Sequence, residues 1–380
     1  MNVLHTISSL GVNSGGPPLS TSLTVVGLRD EGINAEILSY QLASSKDNLI
    51  IDGDFIHLLP IPSIAKLAYS GKFASFLNKH TVYDLYHLQC IWQYPTYIGA
   101  KIAREKGIPY IITPRGMLYP QEFVRSGRIK KLALSLFLKR DLQQAACVQA
   151  TCHEEMQHLR DLGITSPIAV IPNPIDTEKD KENILEKQDV RRFGYLGRIH
   201  PRKNIERLPY AWDILGDKVK DCELVIIGGG DIEYETFLKA EVVRLGLKNV
   251  IFTGFLSGIE KEKTIQSLSY LVVPSDFENF GMIIAEALLY GIPVITSKGT
   301  PWQELETYQC GWWIDNDVES ISKTMEKAIY IPEEERIAMG KRGHSFIRDN
   351  YSVKIVANKM IELYKWILQK GKKPDFVFLD

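Results

Sequence analysis

The chain has 380 residues, of which 45% are hydrophobic and 24% are charged. That length is too great for one ordinary core and fits two α/β domains of typical size, with the composition of a soluble globular protein. The formal net charge of −1 gives no sign of a nucleic-acid-binding protein. The first residues, MNVLHTISSLG, include no basic segment and no long apolar run. We therefore expect neither a signal peptide nor a transmembrane span, and predict a cytoplasmic location.

Cysteine usage indicates reduced thiols. The five cysteines are scattered and form no C-x-x-C pair: Cys90, Cys147, Cys152, Cys222 and Cys310. An odd number without metal-ligand spacing favours free thiols over a disulfide framework or a zinc site.

Short apolar runs alternate with amphipathic stretches along the whole chain, which is typical of βα units around parallel sheets. In the first half the predicted strands are Asn2–Ser8, Ala35–Ser39, Asp84–Leu88, Tyr110–Thr113, Cys147–Ala150 and Ile168–Ile171. In the second half they are Arg192–Leu196, Glu223–Ile227, Val250–Thr253, Tyr270–Pro274 and Pro293–Thr296. The pattern predicts an α/β fold with two series of strands.

The best candidate linker is Pro174–Val190, which is polar, charged and without apolar period. We therefore divide the chain into a first domain, a linker, a second domain and a C-terminal segment, covering residues 1–175, 176–190, 191–350 and 351–380. Apolar residues at helical spacing predict a last helix over Val353–Lys370, with Ser352 placed to cap it and Gly371 to end it. A capping box, Thr151-Cys-His-Glu154, predicts another helix start in the first half.

The first predicted strand runs into a glycine loop, Gly11-Val-Asn-Ser-Gly15-Gly16-Pro17-Pro18, and then a helix. Adjacent glycines let a ligand approach the backbone closely, and a helix N-terminus favours an anion. The loop is not a P-loop, because Pro17 and Pro18 stand where that motif needs Lys and Ser/Thr. A dinucleotide-binding loop is weakly supported, because the glycine spacing is not G-x-G-x-x-G. Taken alone, the loop fits a phosphate contact and a tight βα turn equally well.

The second half opens with a basic loop directly after a strand. Arg198 and Lys203 lie at the predicted carboxyl edge of the sheet, where side chains reach ligands. Cations there suit a pyrophosphate, with bidentate contacts from the arginine and a point charge from the lysine. The alternative is a solvated basic loop.

The most specific feature is Pro274-Ser-Asp-Phe-Glu278-Asn-Phe-Gly281-Met-Ile-Ile-Ala-Glu286. If both glutamates were helical they would be ~12 Å apart along the axis, which exceeds the ~5–9.5 Å of a glycosidase carboxylate pair. A separation of this size would let one carboxylate contact a sugar and the other contact a ribose of the same ligand. Free N–H groups at the helix start would then face the phosphates. A lone first-turn glutamate would more often serve only the helix dipole.

Three other patterns are weaker. His153 and His158 are five residues apart and point ~140° apart on a helix, so they cannot share a metal. Asp52-Gly-Asp54 resembles a D-x-D metal motif but reads as a turn between strands. Gly228-Gly229-Gly230 reads first as a turn and only second as a phosphate contact.

With the glycine loop, Arg198…Lys203 and Glu278-x7-Glu286 in this order, the chain resembles the retaining glycosyltransferases of family 4, which have the GT-B fold. The resemblance extends over IPNPID, LVIIGGG, VIFTGFLSG and EALLYGIPVITSKGTPW. It implies two Rossmann-like domains facing each other across a cleft. The first would lie on the acceptor side, the second would bind the nucleotide sugar, and the last helix would cross back to the first.

The resemblance also implies roles for individual residues. Gly15 and Gly16 would contact the donor phosphate, and Arg198 and Lys203 would neutralise the departing diphosphate. The backbone around Leu256 would contact the nucleobase, and Glu286 the ribose. Contacts with the donor sugar and phosphate would come from Glu278 and from the N–H groups of Asn279, Phe280 and Gly281. Since two cations and helix N-termini can stabilise the leaving group, we expect no metal and no cofactor besides the nucleotide-diphosphate sugar donor.

One position departs from the family pattern. Many members carry a histidine after the strand equivalent to Tyr110–Thr113, and Arg115 stands at that position. We include Arg115 among the catalytic candidates, while His87 is a weaker substitute that also fits a buried, hydrogen-bonded ring. The Pro-Arg-Gly-Met-Leu stretch and Thr300-Pro301-Trp302 are similar to a subgroup of surface-polysaccharide enzymes, which include lipopolysaccharide enzymes.

Charge is concentrated between residues 100 and 140, with ten Lys or Arg against two Asp or Glu. Within this stretch Ser126–Arg140 predicts an amphipathic helix with basic ends. It fits a core-facing helix with solvated charges, or a peripheral contact with the inner face of the membrane and a lipid-linked saccharide acceptor. The alternatives to a transferase are a nucleotide-sugar epimerase of the same fold and a non-catalytic sugar-nucleotide-binding protein.

Overall fold

The computed structural model describes residues 1–42, 48–123, 127–178 and 190–379. The chain forms two compact units. Unit 1 comprises Met1–Asp176 together with Tyr351–Asp380, and unit 2 comprises Thr177–Asn350. Residues 179–189, which make up most of the predicted linker, and Ser126, the first residue of the predicted basic helix, lie outside the described residues.

Unit 1 is built on an eight-stranded sheet in the order β14-β7-β6-β5-β4-β1-β2-β3. All neighbouring pairs are parallel except β14 with β7. The strands are β1 (Asn2–Thr6), β2 (Asn34–Tyr40), β3 (Ile56–Leu59), β4 (Leu85–Gln89), β5 (Tyr110–Thr113), β6 (Cys147–Ala150), β7 (Ile168–Val170) and β14 (Val377–Phe378).

Helices cover both faces of this sheet, as the buried apolar runs of its central strands require. They are α1 (Gly16–Asp30), α2 (Gly71–Lys79), α3 (Tyr94–Lys106), α4 (Gly127–Ala133), α5 (Lys139–Gln143), α6 (His153–Asp161) and α14 (Val353–Ile367). Apolar side chains of α1 and α14 share one core cluster, and those of α2 and α3 share another. Gly27 lets α1 approach α14 closely, because a Cβ there would lie 2.6 Å from Cγ1 of Val353.

Unit 2 contains a six-stranded, all-parallel sheet in the order β10-β9-β8-β11-β12-β13. Its strands are β8 (Arg191–Leu196), β9 (Cys222–Ile227), β10 (Val250–Gly254), β11 (Tyr270–Val273), β12 (Val294–Ser297) and β13 (Gly311–Ile314). Its helices are α7 (Arg207–Leu215), α8 (Ile232–Arg244), α9 (Gly258–Gln266), α10 (Met282–Leu289), α11 (Glu304–Thr307), α12 (Val318–Tyr330) and α13 (Glu333–Tyr351). The prediction of an α/β protein with two parallel-sheet domains is confirmed.

The strand order reverses direction once in each sheet, and this topology determines where ligands can bind. In unit 2 the first strand, β8, lies between β9 and β11, and in unit 1 β1 lies between β2 and β4. The loops leaving the two central strands at such a point diverge to opposite faces and open a crevice at the carboxyl edge of the sheet. The crevice in unit 2 therefore lies beyond β8 and β11.

All eleven predicted strands are present, with ends within two residues of the prediction. Three further strands were not predicted. β3 is only partly buried and lacks a strong alternation, β13 begins with a glycine, and β14 has two residues. Each is too short or too irregular for a periodic signal.

Two predicted helix ends are wrong. The helix in the first half begins after Cys152, whose sulfur accepts from the N–H of Glu155, and Glu155 rather than Glu154 reaches back to the N–H of Thr151. The last helix ends at Ile367, and Gln369 rather than Gly371 adopts the left-handed conformation, with φ of 57°. Ser352 precedes that helix but makes no side-chain cap hydrogen bond.

The basic segment is helical from residue 127 to residue 143. It consists of α4, a π-helical turn at Leu134–Leu138, and α5. Among the described residues, no helix combines the length and the apolar character that crossing a bilayer would require.

Candidate active site

The loop after β8 carries Arg198 and Lys203 at the crevice of unit 2. The side chain of Arg198 is exposed, and its guanidinium has no hydrogen bond or ion pair among the described residues. The backbone carbonyl of Arg198 accepts a hydrogen bond from the Tyr195 hydroxyl at 3.1 Å. Lys203 ends a short 3-10 turn. Asn204 follows in the left-handed conformation, with φ of 49°, and its amide donates to the carbonyl of Pro274 at 3.2 Å. The backbone of this loop is therefore fixed at both ends, and the Arg198 side chain is available to a ligand.

Glycines allow this loop to lie directly against the end of β9. A Cβ at Gly228, where φ is 147°, would lie 1.9 Å from the carbonyl oxygen of Gly197. A Cβ at Gly230 would lie 2.2 Å from the carbonyl oxygen of Ile199. Close packing of the two backbone segments thus explains why Gly228 and Gly230, two of the three consecutive glycines predicted to form a turn, have no side chain.

Glu278 meets Lys203 at the same edge of the sheet. The Lys203 Nζ lies 2.5 Å from Oε1 of Glu278, and the Ser275 hydroxyl donates to the same oxygen at 2.8 Å. The backbone N–H of Glu278 donates to the carbonyl of Gly299 at 2.9 Å. Because β8 and β11 are neighbours, residues 75 positions apart in sequence form one ion pair. Glu278 lies in the loop before α10 and Glu286 lies within that helix, so the separation calculated for two helical glutamates does not apply to this pair.

The start of α10 is held by a tryptophan. Gly281 is the N-cap, with φ of 76°, and α10 begins at Met282. The fully buried Trp302 donates its indole N–H to the carbonyl of Phe280, and the two rings lie 5.4 Å apart. Trp302 belongs to the Thr-Pro-Trp stretch of the sequence, and its role here is to position the loop of Asn279, Phe280 and Gly281.

Glu286 has a partner that the sequence did not indicate. Nζ of Lys261, on α9, lies 2.6 Å from Oε2 of Glu286. Leu256 is partly buried in the segment between β10 and α9. Since α9 follows β10 directly, Leu256 and Lys261 come from one short stretch of chain. Leu256 is the residue expected at the nucleobase, and Lys261 is the partner of Glu286, which is expected at the ribose.

In unit 1 the glycine loop and Arg115 are connected through α1. Gly15 is the N-cap, with φ of 86°, Gly16 begins the helix, and no acidic residue lies in its first turn. The Ser20 hydroxyl donates to the carbonyl of Gly16 at 3.2 Å and accepts from Nη1 of Arg115 at 2.6 Å. The structure therefore brings Gly16 and Arg115 to one edge of the unit 1 sheet.

The guanidinium of Arg115 is held entirely by neutral oxygen atoms. Besides Ser20, it donates to Oε1 of Gln89 at 3.0 Å, to Oδ1 of Asn173 at 2.7 Å and to the Thr21 hydroxyl at 3.2 Å. Burial lowers the pKa of this guanidinium, which nevertheless stays charged because an arginine titrates far above neutrality. The buried Glu155 carboxylate makes no hydrogen bond to the guanidinium but acts on it through space and opposes the lowering of its pKa.

His87 is a buried, hydrogen-bonded ring. Its Nδ1 lies 2.7 Å from the Tyr364 hydroxyl and its Nε2 lies 2.7 Å from the Thr113 hydroxyl. Burial lowers the pKa of His87 well below its usual value, and burial together with Arg115 lowers the pKa of the adjacent His5 to about 3. Both rings are neutral at pH 7, and His87 exposes no surface to a ligand.

The described residues include no cluster of three or more His, Cys, Asp or Glu side chains that could hold a metal ion. Asp52 accepts the N–H of Gly53 at 2.9 Å, as expected for a turn. None of the five cysteines, all of which lie within the described residues, forms a disulfide.

Two family descriptions match the two parts of the chain. Residues 15–174 match "Glycosyl transferase 4-like domain", and residues 176–346 match "Glycosyl transferases group 1". The chain is a family 4-like glycosyltransferase of the GT-B fold.

Relatives of this glycosyltransferase include archaeal and bacterial proteins. One uncharacterized glycosyltransferase of Methanocaldococcus jannaschii is 29% identical over 35% of this chain and 34% of its own length. A second one from the same organism is 26% identical over 75% of this chain and 75% of its own length. The serotype-specific mannosyltransferase WbdA of Escherichia coli is 27% identical over 47% of this chain. That match spans 22% of WbdA.

Solved structures share the fold at low identity. Sucrose-phosphate synthase from Thermosynechococcus elongatus has a TM-score of 0.78 at 19% identity, covering 98% of this chain and all of the other. Anabaena HepE in complex with UDP and glucose has a TM-score of 0.72 at 17% identity, covering 96% and 100%. WaaG, a glycosyltransferase involved in lipopolysaccharide biosynthesis, has a TM-score of 0.70 at 14% identity, covering 95% and 99%.

Proposed function

We propose that this glycosyltransferase moves a sugar from a nucleotide-diphosphate donor to a saccharide or lipid-linked saccharide, with retention of anomeric configuration, in cell-surface polysaccharide synthesis. The observation that carries the donor assignment is the Lys203–Glu278 ion pair, together with Arg198, which has no partner in the described part of the chain, in the loops at the crevice of the unit 2 sheet. WbdA and WaaG, whose names concern serotype and lipopolysaccharide, support the role in polysaccharide synthesis. HepE, solved with UDP and glucose, supports the donor class.

The proposed chemistry is electrostatic. Glycosyl transfer develops positive charge at the sugar and negative charge on the departing diphosphate. Arg198 supplies bidentate donors for the diphosphate, and Lys203 supplies a second cation. The N–H groups at the start of α10, from Asn279 to Gly281, add positive partial charge.

Glu278 has a second effect in this proposal. Its carboxylate neutralises Lys203 at 2.5 Å, so the ammonium is held in position. When a diphosphate binds, Lys203 is shared between two anions, and Glu278 can turn its free oxygen toward the donor sugar. Glu286, paired with Lys261, is proposed to contact the ribose, and the backbone at Leu256 the base.

In unit 1 we propose that Gly15 and Gly16 contact the donor phosphate through the start of α1, which has no side-chain cap and no acidic residue in its first turn. Arg115 is proposed to act at the transferred sugar or its phosphate. Its hydrogen bonds all go to neutral oxygen atoms, and the Glu155 carboxylate opposes its charge only through space, so the guanidinium can attract an anionic group.

The assignment is tested with the purified protein and a panel of UDP-, GDP- and dTDP-sugars. Thermal stabilisation by one donor class, followed by sugar transfer to a saccharide acceptor with the anomeric configuration retained, is the expected outcome. Epimerised free nucleotide sugar without acceptor would identify an epimerase. Donor binding without transfer or hydrolysis would identify a binding protein.

We expect transfer to need no divalent metal and no cofactor, because Arg198 and Lys203 provide the positive charge that a metal would otherwise supply. The rate in excess EDTA should equal the rate without it. The control is a glycosyltransferase known to require Mn²⁺, assayed in the same buffer. Loss of activity in EDTA that Mg²⁺ or Mn²⁺ restores would contradict the proposal.

The helical segment 127–143 is proposed to rest on anionic lipid at the inner face of the membrane. Arg128, Lys131 and Arg140 are exposed, and so are Leu132 and Leu136. Each basic residue near such a surface contributes ~1 kcal/mol. We expect the protein to pellet with vesicles of 30% phosphatidylglycerol at low salt and to be released at high salt. The control is neutral phosphatidylcholine vesicles, and protein that remains in the supernatant with both would favour a soluble acceptor.

A further inference from the structure

Unit 1 contains a cavity of about 510 Å³ that includes none of the residues assigned to the donor or to catalysis, and that shares Leu136 and Arg140 with the proposed membrane contact. It lies between the start of α3, the segment 127–143 and the short turn at Ala65–Leu67. Its walls include Tyr69, Trp92, Tyr94, Tyr97, Leu136 and Phe137. The volume falls in the range of sites for small molecules, ~300–1,000 Å³.

Two pairs of aromatic side chains in the wall pack edge to face, and the lining is mostly apolar, with Gln93 and Arg140 as its polar members. Tyr69 and Tyr94 have ring centroids 4.7 Å apart, and Tyr97 and Phe137 have centroids 5.3 Å apart. The indole N–H of Trp92 already donates to the carbonyl of Met117 at 3.1 Å. Trp92 therefore offers the cavity an apolar surface rather than a hydrogen-bond donor.

The mouth of the cavity is also apolar. Leu67 and Leu136 line the cavity and are 52% and 66% exposed. Large aliphatic side chains that remain exposed around a concave site usually mark contact with an apolar partner. Leu136 and Phe137 belong to the π-helical turn, a distortion that occurs often at functional sites.

Positive charge lies beside this apolar opening. Arg140 lines the cavity and its side chain is 53% exposed, with Asp141 3.5 Å away. The Lys130 ammonium lies 5.4 Å from the centroid of the Trp92 ring, but Oε2 of Glu122 lies 3.3 Å from it and neutralises it. An apolar cavity with a cation at its rim is complementary to a hydrocarbon chain that ends in an anionic group.

We propose that this cavity binds the hydrocarbon chain of a phosphate-linked lipid, with Arg140 pairing with its phosphate. The proposal rests on the function proposed above, because it specifies the lipid-linked class of acceptor. Exposed leucines around the mouth favour a chain over a saccharide, since a sugar would leave them facing its hydroxyl groups. The chain would extend from the cavity past Leu136 toward the surface on which the segment 127–143 rests.

The test uses farnesyl phosphate, farnesol and inorganic phosphate as probes, each below its aggregation threshold, with binding measured by calorimetry. Leu136→Glu places a carboxylate at the mouth of the cavity. Leu132→Glu is the matched control, because it adds the same charge to the same helix at an exposed position that does not line the cavity. Both positions are exposed, so neither variant should lower the melting temperature appreciably.

We expect Leu136→Glu to weaken farnesyl phosphate binding at least ~10-fold and Leu132→Glu to change it less than ~2-fold. Arg140→Gln should weaken farnesyl phosphate by ~5-fold and leave farnesol unchanged, because only the phosphate needs the guanidinium. Equal effects of the two leucine variants would overturn the proposal in favour of a general membrane contact. Binding of inorganic phosphate as tight as farnesyl phosphate, or displacement of farnesyl phosphate by a soluble oligosaccharide, would also overturn it.

The binding measurement is independent of catalysis, so the two proposals can fail separately. If farnesyl phosphate binds as expected but no donor supports transfer, the cavity assignment stands and the proposed reaction fails. If transfer to a soluble saccharide proceeds equally in the wild type and in Leu136→Glu, and farnesyl phosphate does not bind, the reaction stands and the cavity assignment fails.

Discussion

Replacing Arg198 with alanine is expected to lower kcat/KM for sugar transfer by roughly 10–100-fold, and by more if the contact strengthens in the transition state. A charge-assisted hydrogen bond contributes ~1.5–3 kcal/mol, and each ~1.4 kcal/mol is a factor of ten in rate. The guanidinium has no partner among the described residues, so its removal should leave the melting temperature unchanged. Steady-state kinetics and a thermal melt of the purified variant measure both effects.

Arg202→Ala is the matched control for this experiment. Arg202 is an exposed arginine of the same loop, four residues later, so its removal changes the net charge equally. We expect this variant to retain activity within a factor of ~3, since the proposal gives Arg202 no contact with the diphosphate and the charge of an exposed side chain is screened by salt. Wild-type turnover by Arg198→Ala, or an equal loss in both variants, would refute the assigned role of Arg198.

Replacing Glu278 with glutamine is expected to lower kcat by ~100-fold or more, with a smaller change in KM. The substitution retains the shape of the side chain and can retain the contact with the Ser275 hydroxyl, but it removes the negative charge 2.5 Å from the Lys203 ammonium. We propose that this negative charge stabilises the positive charge that develops on the sugar in the transition state. Losing one preorganised electrostatic contact typically lowers kcat by a factor of ~10²–10³. Rates and donor affinity should be measured separately.

The control for Glu278 is Glu319→Gln, which removes a carboxylate from an exposed ion pair with Lys323 in unit 2. Exposed pairs contribute ~0–1 kcal/mol to stability, so this variant should behave as the wild type. A purely structural role for Glu278 predicts a lower melting temperature with normal kcat in the fraction that stays folded. That result, rather than a loss of kcat at unchanged stability, would contradict the assignment.

The sequence predicted those features of this protein that depend on local patterns. Buried parallel strands are continuous apolar runs, so β5 and β6 were located to the residue. A residue just beyond such a strand lies at the carboxyl edge of the sheet, which places Arg198, Lys203 and Glu278 in one region before any contact is known. Their roles in catalysis stay predictions.

The features that could not be predicted depend on contacts between distant segments. Lys261 belongs to a polar helix with no distinguishing pattern, and only the packing of α9 beside α10 pairs it with Glu286. The cap of α6 is a cysteine sulfur, a weak acceptor that sequence rules rank below the neighbouring threonine. The aromatic cavity joins residues from 67 to 140, and no single stretch of sequence shows that these side chains surround one space.

The discontinuity of unit 1 determines the order in which the chain can complete its folding during synthesis. Unit 2 is one continuous stretch, whereas unit 1 needs α14 and β14 from the far end of the chain. Until those residues leave the ribosome, the side chains of α1 that face α14 stay exposed to water, β7 has an open edge, and the buried His87 lacks the Tyr364 hydroxyl. The part of the protein that is made first is therefore the part that finishes last, and in the interval it presents the surfaces on which aggregation begins and chaperones act.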